Sequence, residues 1–196
     1  MNSPLRYPGG KTRAITGNIY EVECLKYLTE LGFDCERFGG SSRNSDIIVH
    51  TKDGDVKIEC KNTLKGTDFR EWKLDLIDGH YVCSNTLINN YVPQDLFGGN
   101  ELPKNISSKE WNRTKLPTFK DVIIRVNPQF ALSNICDIDY VFVNGVGNYA
   151  ASDNDPLNLN LETFPYTFKL RFYVKNHSSS NAVKCSLSAV ATLKVE

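Results

Sequence analysis

The chain carries no net charge, no C-x-x-C pair and no apolar run long enough to cross a membrane. Each absence narrows the field. With 23 Lys and Arg against 23 Asp and Glu, the balance speaks against a large sequence-independent grip on nucleic acid, since that grip comes from excess cationic charge. The six cysteines, at positions 24, 35, 60, 83, 136 and 185, have no histidine partner at metal-ligand spacing, and several lie in apolar runs. They read as reduced core thiols rather than as a zinc site or a redox pair. The lack of a signal peptide, a membrane span and a lipidation motif leads to the expectation of a cytoplasmic or nucleoid-associated protein with no membrane partner. The Asn-x-Ser/Thr matches at Asn105, Asn112 and Asn176 are then chance, because glycosylation needs a secretory route.

What is present concentrates between Ser45 and Lys61. Two runs rich in Ile and Val, SDIIVHT and VKIECK, flank Lys52-Asp53-Gly54-Asp55, whose central Asp-Gly predicts a β-hairpin. If residues 46–51 pair with 56–61, Asp46 falls opposite Lys61 and diagonal to Glu59, on one face, while Val56, Ile58 and Cys60 take the other. Two neighbouring carboxylates repel, so their placement makes chemical sense when a divalent cation or the lysine offsets the charge. Magnesium, with manganese as a substitute, takes oxygen ligands, keeps waters and accepts phosphate oxygens. Two acids and a lysine therefore suit phosphodiester cleavage. Removal of either carboxylate should abolish cleavage, and mutual repulsion predicts no cost in stability.

At these residues the chain resembles the PD-(D/E)xK nuclease superfamily, which includes restriction endonucleases and Holliday-junction resolvases. Asp46 matches the motif aspartate and Glu59-Cys60-Lys61 the acid, any residue, lysine triplet; Ser45 stands where proline is often found. The likeness covers about the first 75 residues, in the order helix with a glutamate, Gly-Phe, a Gly-Ser-rich loop and the hairpin. It implies a three-layer α/β domain with a central mixed sheet flanked by helices, in which Asp46, Glu59 and the Cys60 carbonyl ligate the metal and Lys61 orients or helps deprotonate the attacking water. The auxiliary acid is chosen by helical phase over residues 17–31. Glu21, Leu25 and Leu28 share the apolar stripe, whereas Glu23 lines up with Lys26 and Glu30. Asn18, three residues before Glu21, equally fits a capping box. Arg43, in the loop before Asp46, is a candidate phosphate ligand. The resemblance makes Ser41 and Ser42 candidates as well, although the loop also serves as a plain connection. Phe69, Trp72 and Leu76 recur at helical spacing, and the lysine or glutamine of related enzymes would there be Lys73.

Length and composition fit one domain over residues 1–196, with a catalytic core at about 16–82 and a β-rich, loop-rich extension at 83–196. Residues 83–119 form a long polar connection that is either ordered and functional or mobile. Val122–Val126, Tyr140–Val143, 170–174 and 183–195 read as strands. Lys169, Arg171, Tyr173 and Lys175 fall on one strand face, which suits a DNA backbone and equally a solvated sheet surface. Lys104, Lys109, Arg113 and Lys115 form a second basic stretch. The opening Pro4-Leu5-Arg6-Tyr7-Pro8-Gly9-Gly10-Lys11 resembles that of adenine-specific DNA methyltransferases, but no Asp-Pro-Pro-Tyr motif follows, and Leu5 stands where a Walker A loop needs glycine. The expected activity is that of a magnesium-dependent DNA endonuclease most like a type II restriction enzyme. A junction resolvase or other structure-specific repair nuclease is the alternative, and a DNA-binding module with a decayed site is the alternative of another class. A homodimer is expected because duplex cleavage needs two active sites.

Overall fold

A computed structural model describes residues 11–38, 45–64, 68–103, 107, 109–110, 117–176 and 181–190, with side chains in the first helix from Gly17 onward. Ser41, Ser42, Arg43, Lys104, Arg113, Lys115 and residues 4–10 lie outside the described residues. Among the described residues the fold is mixed α/β and β-rich, with two five-stranded sheets and few helices. The helices α1 (Lys11–Glu30) and α2 (Thr86–Asn89) accompany strands β1 (Asp34–Arg37), β2 (Ile47–Thr51), β3 (Gly54–Lys61), β4 (Asp68–Ile77) and β5 (His80–Cys83). The second half supplies β6 (Val122–Val126), β7 (Tyr140–Val143), β8 (Gly147–Ala150), β9 (Thr167–Asn176) and β10 (Asn181–Val190). The chain forms two compact units, Met1–Leu64 with Asp137–Pro165 and Lys65–Cys136 with Tyr166–Glu196. Residues 65–82, read from the sequence as part of the catalytic core, thus belong with the second sheet.

In the first unit the strand order is β1-β2-β3-β7-β8, antiparallel except that β7 runs parallel to β3. Helix α1 covers one sheet face: Cys24 and Leu28 are buried in a cluster with Ile47, Val49, Val56, Ile58, Cys60, Tyr140 and Phe142. These alternate strand positions form the core because side chains of a strand point to opposite faces in turn. The helix begins at Lys11, so Asn18 lies inside it and the capping-box reading is corrected.

The expected hairpin forms, with a different register. Thr51 pairs with Gly54 around a two-residue loop, Lys52-Asp53, and Ile47 pairs with Ile58. Thr51 closes the turn, its hydroxyl donating to the Gly54 carbonyl at 2.7 Å and accepting from the Asp53 amide at 3.2 Å. The pairing thus lies two residues from the predicted one, and Asp46 is not opposite Lys61. An even slip preserves the face of every side chain, so Val56, Ile58 and Cys60 remain on the core side.

The second unit is an antiparallel sheet in the order β5-β4-β10-β9-β6. Its apolar face carries Phe168, Leu170, Phe172, Val183, Cys185 and Leu187, all buried. The helix expected around Phe69, Trp72 and Leu76 is strand β4 instead. Its ladder is irregular at Phe69, since Arg70 pairs with Leu187 but Asp68 with Ser188. That one-residue bulge drops Phe69 onto Phe168, with ring centroids 4.9 Å apart, and produces a three-residue spacing to Trp72 that imitates a helical turn. The described part of the 83–119 connection is ordered, with Phe97 packed against Tyr81 and Phe119. Gly99 is required there, because its φ is +67° and a Cβ would stand 2.6 Å from the Gly79 carbonyl oxygen.

Candidate active site

Strand β3 ends at the acid-lysine pair. Glu59 and Lys61 are two residues apart, hence on one face, and the Lys61 ammonium donates to Glu59 Oε1 at 2.5 Å. Their side chains are only 4% and 13% exposed, so this pair is held largely out of water. Its attraction is therefore weakly screened, and neither charge is tolerated alone.

Asp46 stands where β2 begins. Its own amide donates to the Ile58 carbonyl at 3.1 Å, and its Oδ2 accepts the Cys60 amide at 2.8 Å. The carboxylate thus replaces a backbone acceptor for a strand residue between Glu59 and Lys61. Within a strand the N–H and C=O of one residue face the same neighbour, so the Cys60 carbonyl faces the side from which Asp46 approaches. Asp46, Glu59 and this carbonyl, the oxygen ligands expected from the sequence, lie near the carboxyl end of two parallel strands, where ligand crevices of α/β sheets open. Among the described residues no three His, Cys, Asp or Glu side chains make a preformed cage. A metal here would keep waters and take phosphate oxygens, a fit for magnesium rather than zinc.

Helical phase brings Glu21 toward this site. Glu21 is half-buried and Glu23 exposed. The Arg37 guanidinium on β1 lies 3.2 Å from Glu21 Oε2. The Glu21 carboxyl is pushed above its usual range, first by burial and then by the negative charge of Asp46, while Arg37 and Lys61 pull it back. Glu21 on α1 thus feels the charges of Asp46, at the start of β2, and of Lys61 on β3. Arg37, the cation holding Glu21, was missed in the sequence; its signal is the alternation Cys35, Arg37 on a strand facing the helix.

The raised carboxyl gives a sign for pH dependence. An acid with a folded pKa above its unfolded value binds protons more tightly when folded, so its contribution is present at low pH and is lost as pH rises through the folded value. Glu21→Gln should therefore gain stability relative to the native protein as pH rises from about 4 to 7, whereas Glu23→Gln should show no such trend. Urea unfolding at both pH values checks this, and parallel behaviour of the two variants would refute the helical phase.

The six cysteines are free thiols, five of them buried. Cys24 and Cys60 interact directly: the hydrogen bond between them draws the Cys24 thiol down and pushes the Cys60 thiol far up. A thiol so buried and so reluctant to ionise packs as a small apolar group.

The second unit places Lys169, Arg171, Tyr173 and Lys175 on one sheet face, as alternation requires. The charges there are already partly balanced. Glu71 accepts from the Tyr173 hydroxyl at 2.7 Å and from Lys175 at 2.6 Å, with Lys184 at 3.5 Å. Asp121 lies 2.7 Å from Arg171, whose guanidinium stacks over the Tyr173 ring at 4.5 Å. Among the described residues Lys169 has no ion-pair partner, and neither has Arg125, its cross-strand neighbour. Lys73, expected on a helix, is an exposed residue of β4 paired with Asp75 at 2.5 Å. Lys109 is exposed.

No protein-family model matches the chain, and no curated protein or solved structure is significantly similar to it.

Proposed function

We propose that this chain is a magnesium-dependent DNA endonuclease of the PD-(D/E)xK type, most like a type II restriction enzyme, built on a restriction-endonuclease-like three-layer unit and acting as a homodimer. The observation that carries the reading is the end of β3. There a buried glutamate grips a nearly buried lysine, and the amide between them is held by the carboxylate of Asp46. A structural ion pair alone does not account for a second acid, Asp46, beside it, or for a third, Glu21, whose carboxyl feels the charges of Asp46 and Lys61. Mixed-sheet topology with α1 on one face of β1-β2-β3-β7-β8 is compatible with the three-layer arrangement.

Asp46, Glu59 and the Cys60 carbonyl would hold the ion, with manganese as a substitute, and Glu21 would complete the acidic cluster. When bound, the ion would offset phosphate charge and make a coordinated water more acidic. Lys61, oriented by Glu59, would supply a cation to the phosphate as its charge grows and help the attacking water lose its proton. Arg37 keeps Glu21 ionisable and fixed. Among the described residues no helix is long and apolar enough to cross a membrane, and a cytoplasmic or nucleoid location accords with DNA as substrate. The test is cleavage of plasmid, single-stranded DNA and a four-way junction, each with and without magnesium. Duplex cutting at fixed sites supports the restriction reading, selective junction cutting the resolvase alternative, and binding without cutting the decayed-site alternative.

DNA holding should fall unequally on the β9 cations. Lys169, without a carboxylate partner among the described residues, should contribute about 0.9 to the log-log salt slope of binding. Lys175, already bound by Glu71, should contribute less. Affinity measured across a salt series for Lys169→Ala and Lys175→Ala reads this directly; equal slopes would show that the internal ion pairs do not compete with phosphate.

A further inference from the structure

The outer strand β6 has features of an unsatisfied edge. It is the last strand of its sheet, and among the described residues its only backbone hydrogen bonds are those of its ladder to β9. The opposite edge is treated differently. On β5 the Asn89 side chain accepts the Cys83 amide at 2.7 Å and donates to the Cys83 carbonyl at 2.9 Å, taking the place of a neighbouring strand. Strand β6 contains no proline, its ladder has no bulge, and it exposes Ile123 at 56%. Sheet edges of this kind are usually blunted, because free N–H and C=O groups invite another strand.

The sequence of this edge is symmetric in polarity and self-complementary in charge, an acid at one end and a base at the other: Asp121-Val122-Ile123-Ile124-Arg125. In an antiparallel pair of two copies centred on Ile123, Asp121 of one copy faces Arg125 of the other, Val122 faces Ile124, and the two Ile123 side chains meet at the axis. We propose that β6 pairs with β6 of a second copy of this chain, joining the two sheets into one of ten strands across a two-fold axis. Facing residues of an antiparallel pair share a sheet face. Ile123, Asp121 and Arg125 therefore meet their partners on the polar face, where each ion pair flanks an apolar contact. Val122 and Ile124, which pair with the buried Phe172 and Leu170, extend the apolar face across the axis. The pairing also resolves an otherwise unfavourable feature, since Arg125 stands directly beside Lys169 with no carboxylate partner among the described residues. The second copy's Asp121 supplies one.

This dimer names a surface for the homodimer that duplex cleavage calls for, but its observations are independent of the nuclease reading, and its test reads association alone. Sedimentation equilibrium of the full chain should show a dimer. Asp121→Lys and Arg125→Asp should each weaken it on the order of tenfold, because each sets like charges face to face twice. An equimolar mixture of these two variants should regain the dimer, since every facing pair is then of opposite sign. Ile123→Cys guards against misfolding of the charge variants: mild oxidation should give a reducible dimer, while Ile77→Cys, exposed on β4, should give none. A monomeric native chain, a dimer insensitive to both charge variants, a mixture that stays monomeric, or no cross-link at position 123 would each overturn the proposal.

Discussion

Replacing Glu59 by alanine is expected to lower the unfolding free energy by about 3–5 kcal/mol, beyond removing cleavage, because it removes the carboxylate 2.5 Å from the Lys61 ammonium in a nearly dry site. The Glu59 and Lys61 side chains are 4% and 13% exposed and 2.5 Å apart, so water cannot take over the lost contact. This reverses the stability expected from repulsion between carboxylates: in the fold, attraction to the lysine governs Glu59. Glu59→Gln keeps an oxygen acceptor for Lys61 and should cost less. Replacing Glu59 and Lys61 together by apolar residues of similar volume should restore much of the loss. Urea denaturation of the three variants measures these differences, and a Glu59→Ala cost under about 1 kcal/mol, the scale of a solvated surface pair, would refute the buried pair.

Asp46→Asn is expected to cut cleavage by about 10²-fold or more while leaving stability nearly unchanged. The asparagine oxygen can accept the Cys60 amide as Asp46 Oδ2 does at 2.8 Å, so only the charge is lost. Asp46→Ala, by contrast, orphans that amide and should cost about 1–3 kcal/mol. Metal binding gives a second readout. Magnesium should raise the melting temperature of the native chain and hardly that of the Asp46→Asn, Glu59→Gln double variant, because a ligand stabilises only the state that binds it. A double variant stabilised as much as the native chain would place the ion elsewhere.

The hairpin and the grouping of Asp46, Glu59 and Lys61 at its end were legible because a turn signal and two alternating runs are local. The register error, two residues, came from counting Lys52-Asp53-Gly54-Asp55 as the turn when Thr51 and Gly54 already pair. It moved Asp46 along the strand without changing its face, which is why the cluster of acids and lysine was still brought together. The strand misread as a helix had a signal that was overlooked: Leu74-Asp75-Leu76-Ile77 alternates up to Asp78-Gly79, and both turn residues have positive φ, at 48° and 79°. Asp-Gly before His80-Tyr81-Val82-Cys83 therefore announces a hairpin. The bulge at Phe69 could not be read, since it depends on β10, more than a hundred residues away. The same distance hid the carboxylates that neutralise the β9 face: Glu71 meets Tyr173 and Lys175 only once β10 joins β4 to β9. Parallel pairing of β7 on β3 was equally invisible, because the residues between them belong largely to another compact unit.

The most direct measurement is the conversion of supercoiled plasmid to nicked and linear forms by the purified chain. It would be run with magnesium, with a chelator in its place, and with Asp46→Asn under the same magnesium conditions. The account predicts cutting by the native chain with magnesium only, and a loss of about 10²-fold or more in the variant, whose melting temperature stays native. Cutting of equal rate by Asp46→Asn, or by the native chain in chelator, would contradict it.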